Sequence, residues 1–127
     1  MIDISDLKEK VKGLVEGITE LSAYYNIVPA GVSNGCLIQR EGESYEGRVT
    51  EGNAYVPATL FDVLIFTFQG EAGIDACDEL TSAFVNTVDG KHSADFQLIT
   101  VTDIREEPYD SESGMYGNWV SLRIRPA

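Results

Sequence analysis

Apolar and polar positions alternate along this chain in two different periods, and the changeovers mark its elements. Leu7, Val11, Leu14, Val15, Ile18 and Leu21 recur at spacings of three and four, which predicts an amphipathic helix over about Asp6–Ala23 with Ser5 as its N-cap. Gly13 and Gly17 weaken that helix by up to about 1 kcal/mol each relative to alanine, unless they admit another backbone at close range. Gly35–Arg40 reads as a short strand. Thr59–Phe68, TLFDVLIFTF, is the most apolar stretch of the chain and predicts a central strand covered on both faces. After the Gly70-Glu71-Ala72-Gly73 break, Ile74, Cys77, Leu80, Thr81, Phe84, Val85 and Val88 share one helical face. Asp75, Asp78 and Glu79 sit in the first turns of that helix, where the dipole favours acids, and Asp89-Gly90 ends it. A strand pattern follows over Phe96–Arg105. The last strand is Trp119–Arg125, with Val120, Leu122 and Ile124 on one face and Trp119, Ser121, Arg123 and Arg125 on the other.

The expected fold class is therefore α+β: two helices packed on one face of a mixed, mainly antiparallel sheet, in the order α-β-β-α-β-β. Residues 1–127 form a single domain, and a chain of 127 residues buries roughly two-thirds of its unfolded surface. Residues 41–58, EGESYEGRVTEGNAYVPA, lack periodicity until Tyr55 and predict a long mobile loop or an extended hairpin of functional rather than structural use. Two helices cover one face of the apolar strand, and nothing remains to cover the other. A monomer is then expected to leave Phe61, Val63 and Ile65, or else Leu64, Phe66 and Phe68, partly bare, which points to self-association.

Charge narrows the function classes. Twenty-one acids face nine bases, a net charge of −12. The bases are scattered, so tight nucleic-acid binding is disfavoured, as is an anionic membrane surface. No apolar run approaches the roughly 18 residues needed to span a bilayer, and no charged-then-apolar leader opens the chain. Cys36 and Cys77 have no metal-type spacing; both lie in apolar-periodic segments as small core residues, with a disulfide or a reactive thiol as the alternative. Folding inside the cell follows from that usage.

Candidate chemistry is sparse. Gly31-Val32-Ser33-Asn34-Gly35 matches the G-x-S-x-G elbow of a hydrolase, but that elbow needs a strand before the serine and a helix after it, and the following Cys36-Leu37-Ile38 reads as strand. A glycine-rich turn is the better reading. His92, the only histidine, sits in Gly90-Lys91-His92-Ser93, an exposed loop. The acids Asp103, Glu106, Glu107, Asp110 and Glu112 form the densest cluster, and Asp110-Ser111-Glu112-Ser113-Gly114 lacks the ligand pattern of a calcium loop. It reads as a solvated hairpin tip, with weak divalent binding as the alternative. No catalytic set, cofactor or metal site is expected, and the chain reads as a non-enzyme.

Taken together, the elements resemble a family. The order from helix through Gly35-Cys36-Leu37-Ile38, the Glu41-Gly42-Glu43-Ser44-Tyr45-Glu46-Gly47 stretch, Phe61–Phe68 and Ile74–Val88 to Phe96–Glu106 is similar to that of the tail terminator (tail completion) proteins of long-tailed bacteriophages, lambda included. The Tyr109-Asp110 turn ahead of Trp119-Val120-Ser121-Leu122 adds to the likeness, which spans nearly the whole chain.

The resemblance implies a structural virion protein of a phage or prophage, located in the tail and assembled in the bacterial host cytoplasm. It implies a hexameric ring of the chain with itself. That ring caps the tail tube, ends elongation and presents the surface for head-tail joining. Its partners would be the tail tube protein and a head-completion or neck protein, with DNA passing through without tight binding. No catalytic residue is implied. Interface candidates are Glu41, Glu43, Tyr45, Glu46 and Arg48 in the long loop, and Arg123 and Arg125 on the polar side of the last strand. Two alternatives stay open: a neck or head-completion protein, and a small non-phage hydrolase or ligand-binding domain.

Overall fold

A computed structural model of the chain describes residues 3–44 and 58–127. In chain order it holds helix α1 (Ile4–Thr19), strands β1 (Ala23–Tyr25), β2 (Asn34–Ser44) and β3 (Ala58–Thr67), a 3-10 turn at Gly70–Gly73, helix α2 (Ile74–Val88), and strands β4 (Phe96–Glu107) and β5 (Tyr116–Pro126). The strands form one mixed sheet in the order β1-β2-β3-β5-β4. β1 runs parallel to β2, and the other neighbours pair antiparallel. The class is α+β as expected, but the expected element order omits β1. Ala-Tyr-Tyr is too short to show an alternation, and the expected helix runs on to its first residue, Ala23.

Helix α1 starts earlier and stops sooner than its apolar spacing predicts. Asp3, not Ser5, caps it, with its Oδ1 accepting the Asp6 amide at 3.1 Å. Glu20 then takes a left-handed conformation (φ 60°), and its N–H bonds back to the Glu16 carbonyl. The Glu16 carboxylate accepts the Ala23 amide at 3.0 Å, which ties the start of β1 to the helix end. Leu21 still packs on the core from beyond the helix, so apolar spacing alone overran the true terminus. Gly13 and Gly17 are exposed with nothing within 4 Å of a built Cβ, so neither serves a close backbone approach. Helix α2 has the expected bounds and buries Cys77, Thr81, Phe84 and Val88. Its buried Thr81 hydroxyl is satisfied by the Cys77 carbonyl at 2.8 Å.

The helices and one sheet face enclose a single cluster that includes Val11, Val15, Ile38, Phe61, Val63, Ile65, Phe84, Ile99, Val120, Leu122 and Ile124. Burying each of these side chains contributes about 1.5–3 kcal/mol. Strands β2 and β3 stay paired as far as Ser44 opposite Ala58, so Glu41 and Glu43 lie on β2 alongside β3. A bulge between Arg40 and Gly42 broke the alternation that would have shown the strand continuing. The rest of the expected loop, with Tyr45, Glu46 and Arg48, lies outside the described residues. Among the described residues no helix is long and apolar enough to cross a membrane.

The sheet face away from the helices corrects the expectation of bare apolar surface. Phe61, Val63 and Ile65 are buried under the helices, yet Leu64 and Phe66 on the opposite face are buried too. Of Leu64, Phe66 and Phe68, Phe68 alone stands open, at 41% exposure, its ring edge-on to Phe66 at 5.6 Å. Glycines on both flanking strands explain this. A Cβ on Gly35 would lie 3.2 Å from the Phe66 ring and 3.3 Å from Tyr24, and one on Gly117 would lie 2.8 Å from Leu64 Cδ1. Large side chains from β3 and β1 therefore lie down over bare backbone and cover one another. Self-association does not follow from the strand's apolarity.

Candidate interaction surface

The uncovered sheet face is where the functional candidates gather. Strand pairing places Tyr24, Leu37, Leu64, Trp119 and Arg105 in one row across it, and Gln39, Asp62, Ser121 and Asp103 in the next. Asp62 is the lone acid of the apolar strand, and its side chain is only 15% exposed. A carboxylate so enclosed needs donors. Ser121 Oγ donates to Asp62 Oδ1 at 2.6 Å, and Arg105 Nη2 stands 3.9 Å from Asp62 Oδ2. Arg105 Nη1 also donates to Ser121 Oγ at 3.1 Å and to Asp103 Oδ2 at 3.0 Å. Glu41, set beside Asp62 by the β2 bulge, shares a hydrogen bond with it that raises the Glu41 pKa above the ordinary carboxylate value. Beyond this network Trp119 Nε1–H donates to Glu107 Oε2 at 3.1 Å, which fixes the indole on the face.

The seven interface candidates divide as follows. Glu41, Arg123 and Arg125 belong to the uncovered face, Glu41 beside Asp62, Arg123 opposite Leu60 and Thr100, and Arg125 opposite Leu98. The Arg125 Nε is buried and meets no acceptor among the described residues. Glu43 is engaged by Arg40 on its own strand. Tyr45, Glu46 and Arg48 are not among the described residues. Sequence reasoning missed Asp62, Arg105 and Ser121, although a single acid inside TLFDVLIFTF was a visible signal.

The groups weighed for chemistry lie apart. Ser33 is exposed in a turn after Gly31 (φ 85°), is followed by β2 rather than a helix, and offers its carbonyl to the Phe68 amide at 2.8 Å. His92 is exposed between α2 and β4. Asp110 spends its carboxylate inside its own turn, accepting the Glu112 amide and the Ser113 hydroxyl, each at 3.0 Å. Cys36 and Cys77 are buried free thiols, and burial pushes both up to about 11. On the helix side, Asp78 Oδ1 accepts from Tyr116 Oη at 2.6 Å and Asn118 Nδ2 at 2.9 Å, a contact between α2 and β5. Burial, then that carboxylate, holds the Tyr116 phenol above its ordinary value.

No family model matches the chain, and no curated protein matches it. A solved protein whose name states no activity superposes with a TM-score of 0.59 at 12% identity, over 97% of this chain and 95% of its own. A chain from the virion of a native gene transfer agent particle superposes with a TM-score of 0.49 at 14% identity, over 94% of this chain and 90% of its own. At such identities the first likeness shows a shared fold alone, and the second is too distant to carry an argument.

Proposed function

We propose that this chain is a structural virion protein of a phage or prophage, a tail terminator that closes the tail tube as a ring of its own copies and offers the head-joining surface. The observation that carries this reading is the one-sided sheet. Helices back one face, and the other presents an ordered array of Trp119, Arg105, Arg123, Arg125 and Asp62 with no second layer among the described residues. Such a face suits protein contact: an aromatic anchor and arginines amid hydrogen-bonded polar groups are the residue types enriched where partners dock. The likeness in element order to tail terminators gives that contact its context. Different surfaces meeting head to tail close into a ring when the rotation per subunit allows it.

The non-enzymatic reading is supported by the scatter of the reactive groups, since Ser33, His92 and the buried thiols have no common neighbourhood to act in. The net charge of −12 suits a ring through which DNA slides, because acids repel phosphates. Light scattering of the purified protein, alone and with polymerised tail tube protein, tests the reading. A closed ring forming in either sample is the expected result. A protein that stays monomeric and does not bind the tubes contradicts it.

A further inference from the structure

Strand β4 is an edge of the sheet, and its two halves differ. The outer side of the first half is occupied by the chain itself: Gly90 donates to the Ile99 carbonyl at 2.7 Å, Ile99 to the Lys91 carbonyl at 2.9 Å, and Val101 to Asp89 Oδ1 at 2.9 Å. A bulge between Val101 and Asp103 follows. Beyond it, among the described residues, no hydrogen bond covers the outer backbone of residues 102–107. Ile104 lies in this half on the helix side, opposite Val120, and is 50% exposed. Beside it α2 and β5 leave a groove of about 370 Å³, lined by Asp78, Val85, Asn118 and Ile104 among others. An open edge supplies main-chain hydrogen bonds, and a groove alongside takes alternate side chains of an added strand.

The charges choose the occupant. Asp103, Glu106 and Glu107 are spaced along the open half, Asp78 lies in the groove, and the one local base, Arg105, is engaged by Asp103 and Ser121. A second copy would bring the same acids and a net charge of −12 to its edge, and like charges facing each other across strands are destabilising. We infer that the Thr102–Glu107 edge is a docking site for an extended segment of another protein in which lysine or arginine alternates with small apolar side chains. The apolar side chains then pack on Ile104 and Val85. The cations meet Asp103 and Glu107, which lie on the opposite face from Ile104 by strand alternation. This inference does not rest on the ring and holds for whatever partner carries such a segment.

The test titrates the isotopically labelled full chain with an end-capped peptide of alternating valine and lysine, and with its twin carrying glutamate for lysine. Amide shifts and slowed hydrogen exchange are expected at Thr102–Glu107, with shifts at Asp78, Val85 and Asn118. Affinity for the glutamate twin should be lower by at least about tenfold, a difference of charge complementarity. Ile104→Asp should remove binding. Should that variant fail to fold, the doubly charge-reversed Asp103→Lys, Glu107→Lys protein should prefer the glutamate twin. Equal binding of both peptides, perturbation confined to other residues, or no binding at about 1 mM overturns the inference. So does a dimer of the chain formed through this edge.

Discussion

Replacing Gly117 by alanine probes how the uncovered sheet face seals itself. An added Cβ would stand 2.7 Å from the Ile65 carbonyl oxygen, 2.8 Å from Leu64 Cδ1 and 3.3 Å from Phe66 Cα. Leu64 can turn away, but the carbonyl belongs to the central strand and cannot move without parting β3 from β5. Overpacking of this kind costs about 1–3 kcal/mol. Removing a glycine also narrows the unfolded ensemble, which returns about 0.4–1 kcal/mol. Taking the middle of each range, the net loss is about 1.3 kcal/mol, or roughly 4–7 °C in Tm for a domain of this size. Urea titration followed by Trp119 fluorescence measures it, because the indole lies directly opposite Leu64. The midpoint should fall with the slope unchanged. Gly13→Ala, in an exposed helical site with nothing within 4 Å, should instead add up to about 1 kcal/mol. A Gly117→Ala protein as stable as the parent would refute the claim that Leu64 and Phe66 are hidden by lying over glycine backbone.

Other expected outcomes follow from the same contacts. Asp78→Ala strands the Tyr116 hydroxyl and one donor of Asn118, and should cost about 1–3 kcal/mol by urea titration. Glu41 has a folded pKa above its unfolded value of about 4.5, so its stabilising effect is fully present below that pH and is lost as pH rises through the folded value. Glu41→Gln should therefore be more stable than the parent near neutral pH and flatten the dependence in the acid range; an unchanged urea midpoint profile would count against the shared hydrogen bond. Cys36 and Cys77, buried and pushed up to about 11, should resist a thiol reagent near pH 8 in the native protein and react together on unfolding.

Much of this architecture was legible because period and burial agree in it. Helix α2 and the alternation of β5 came through intact, since Val120, Leu122 and Ile124 meet the core and Trp119, Ser121, Arg123 and Arg125 do not. What stayed hidden depended on contacts distant in sequence. The end of α1 is set by a left-handed Glu20 while apolar spacing runs on to Leu21. The reach of β2 past Arg40 is masked by a bulge, and β1 exists only because it pairs with residues 36–38. The largest departure is the apolar strand itself, which is not bare because Gly35 and Gly117 on the flanking strands seat Phe66 and Leu64, a contact between distant residues that leaves no periodic signal. Of the candidate surface, Arg123 and Arg125 were found by alternation, whereas the link from Glu41 through Asp62 and Ser121 to Arg105 needed the pairing of four strands.

The central claim, that this chain ends a growing tail tube, is open to one direct measurement. Tail tube protein is allowed to polymerise with and without the purified chain, and tube lengths are read by electron microscopy. The account predicts that added chain caps tube ends and arrests growth, and that reversing charge at Arg123 and Arg125 weakens the arrest. Tubes that lengthen equally in its presence, with no density at their ends, would contradict it.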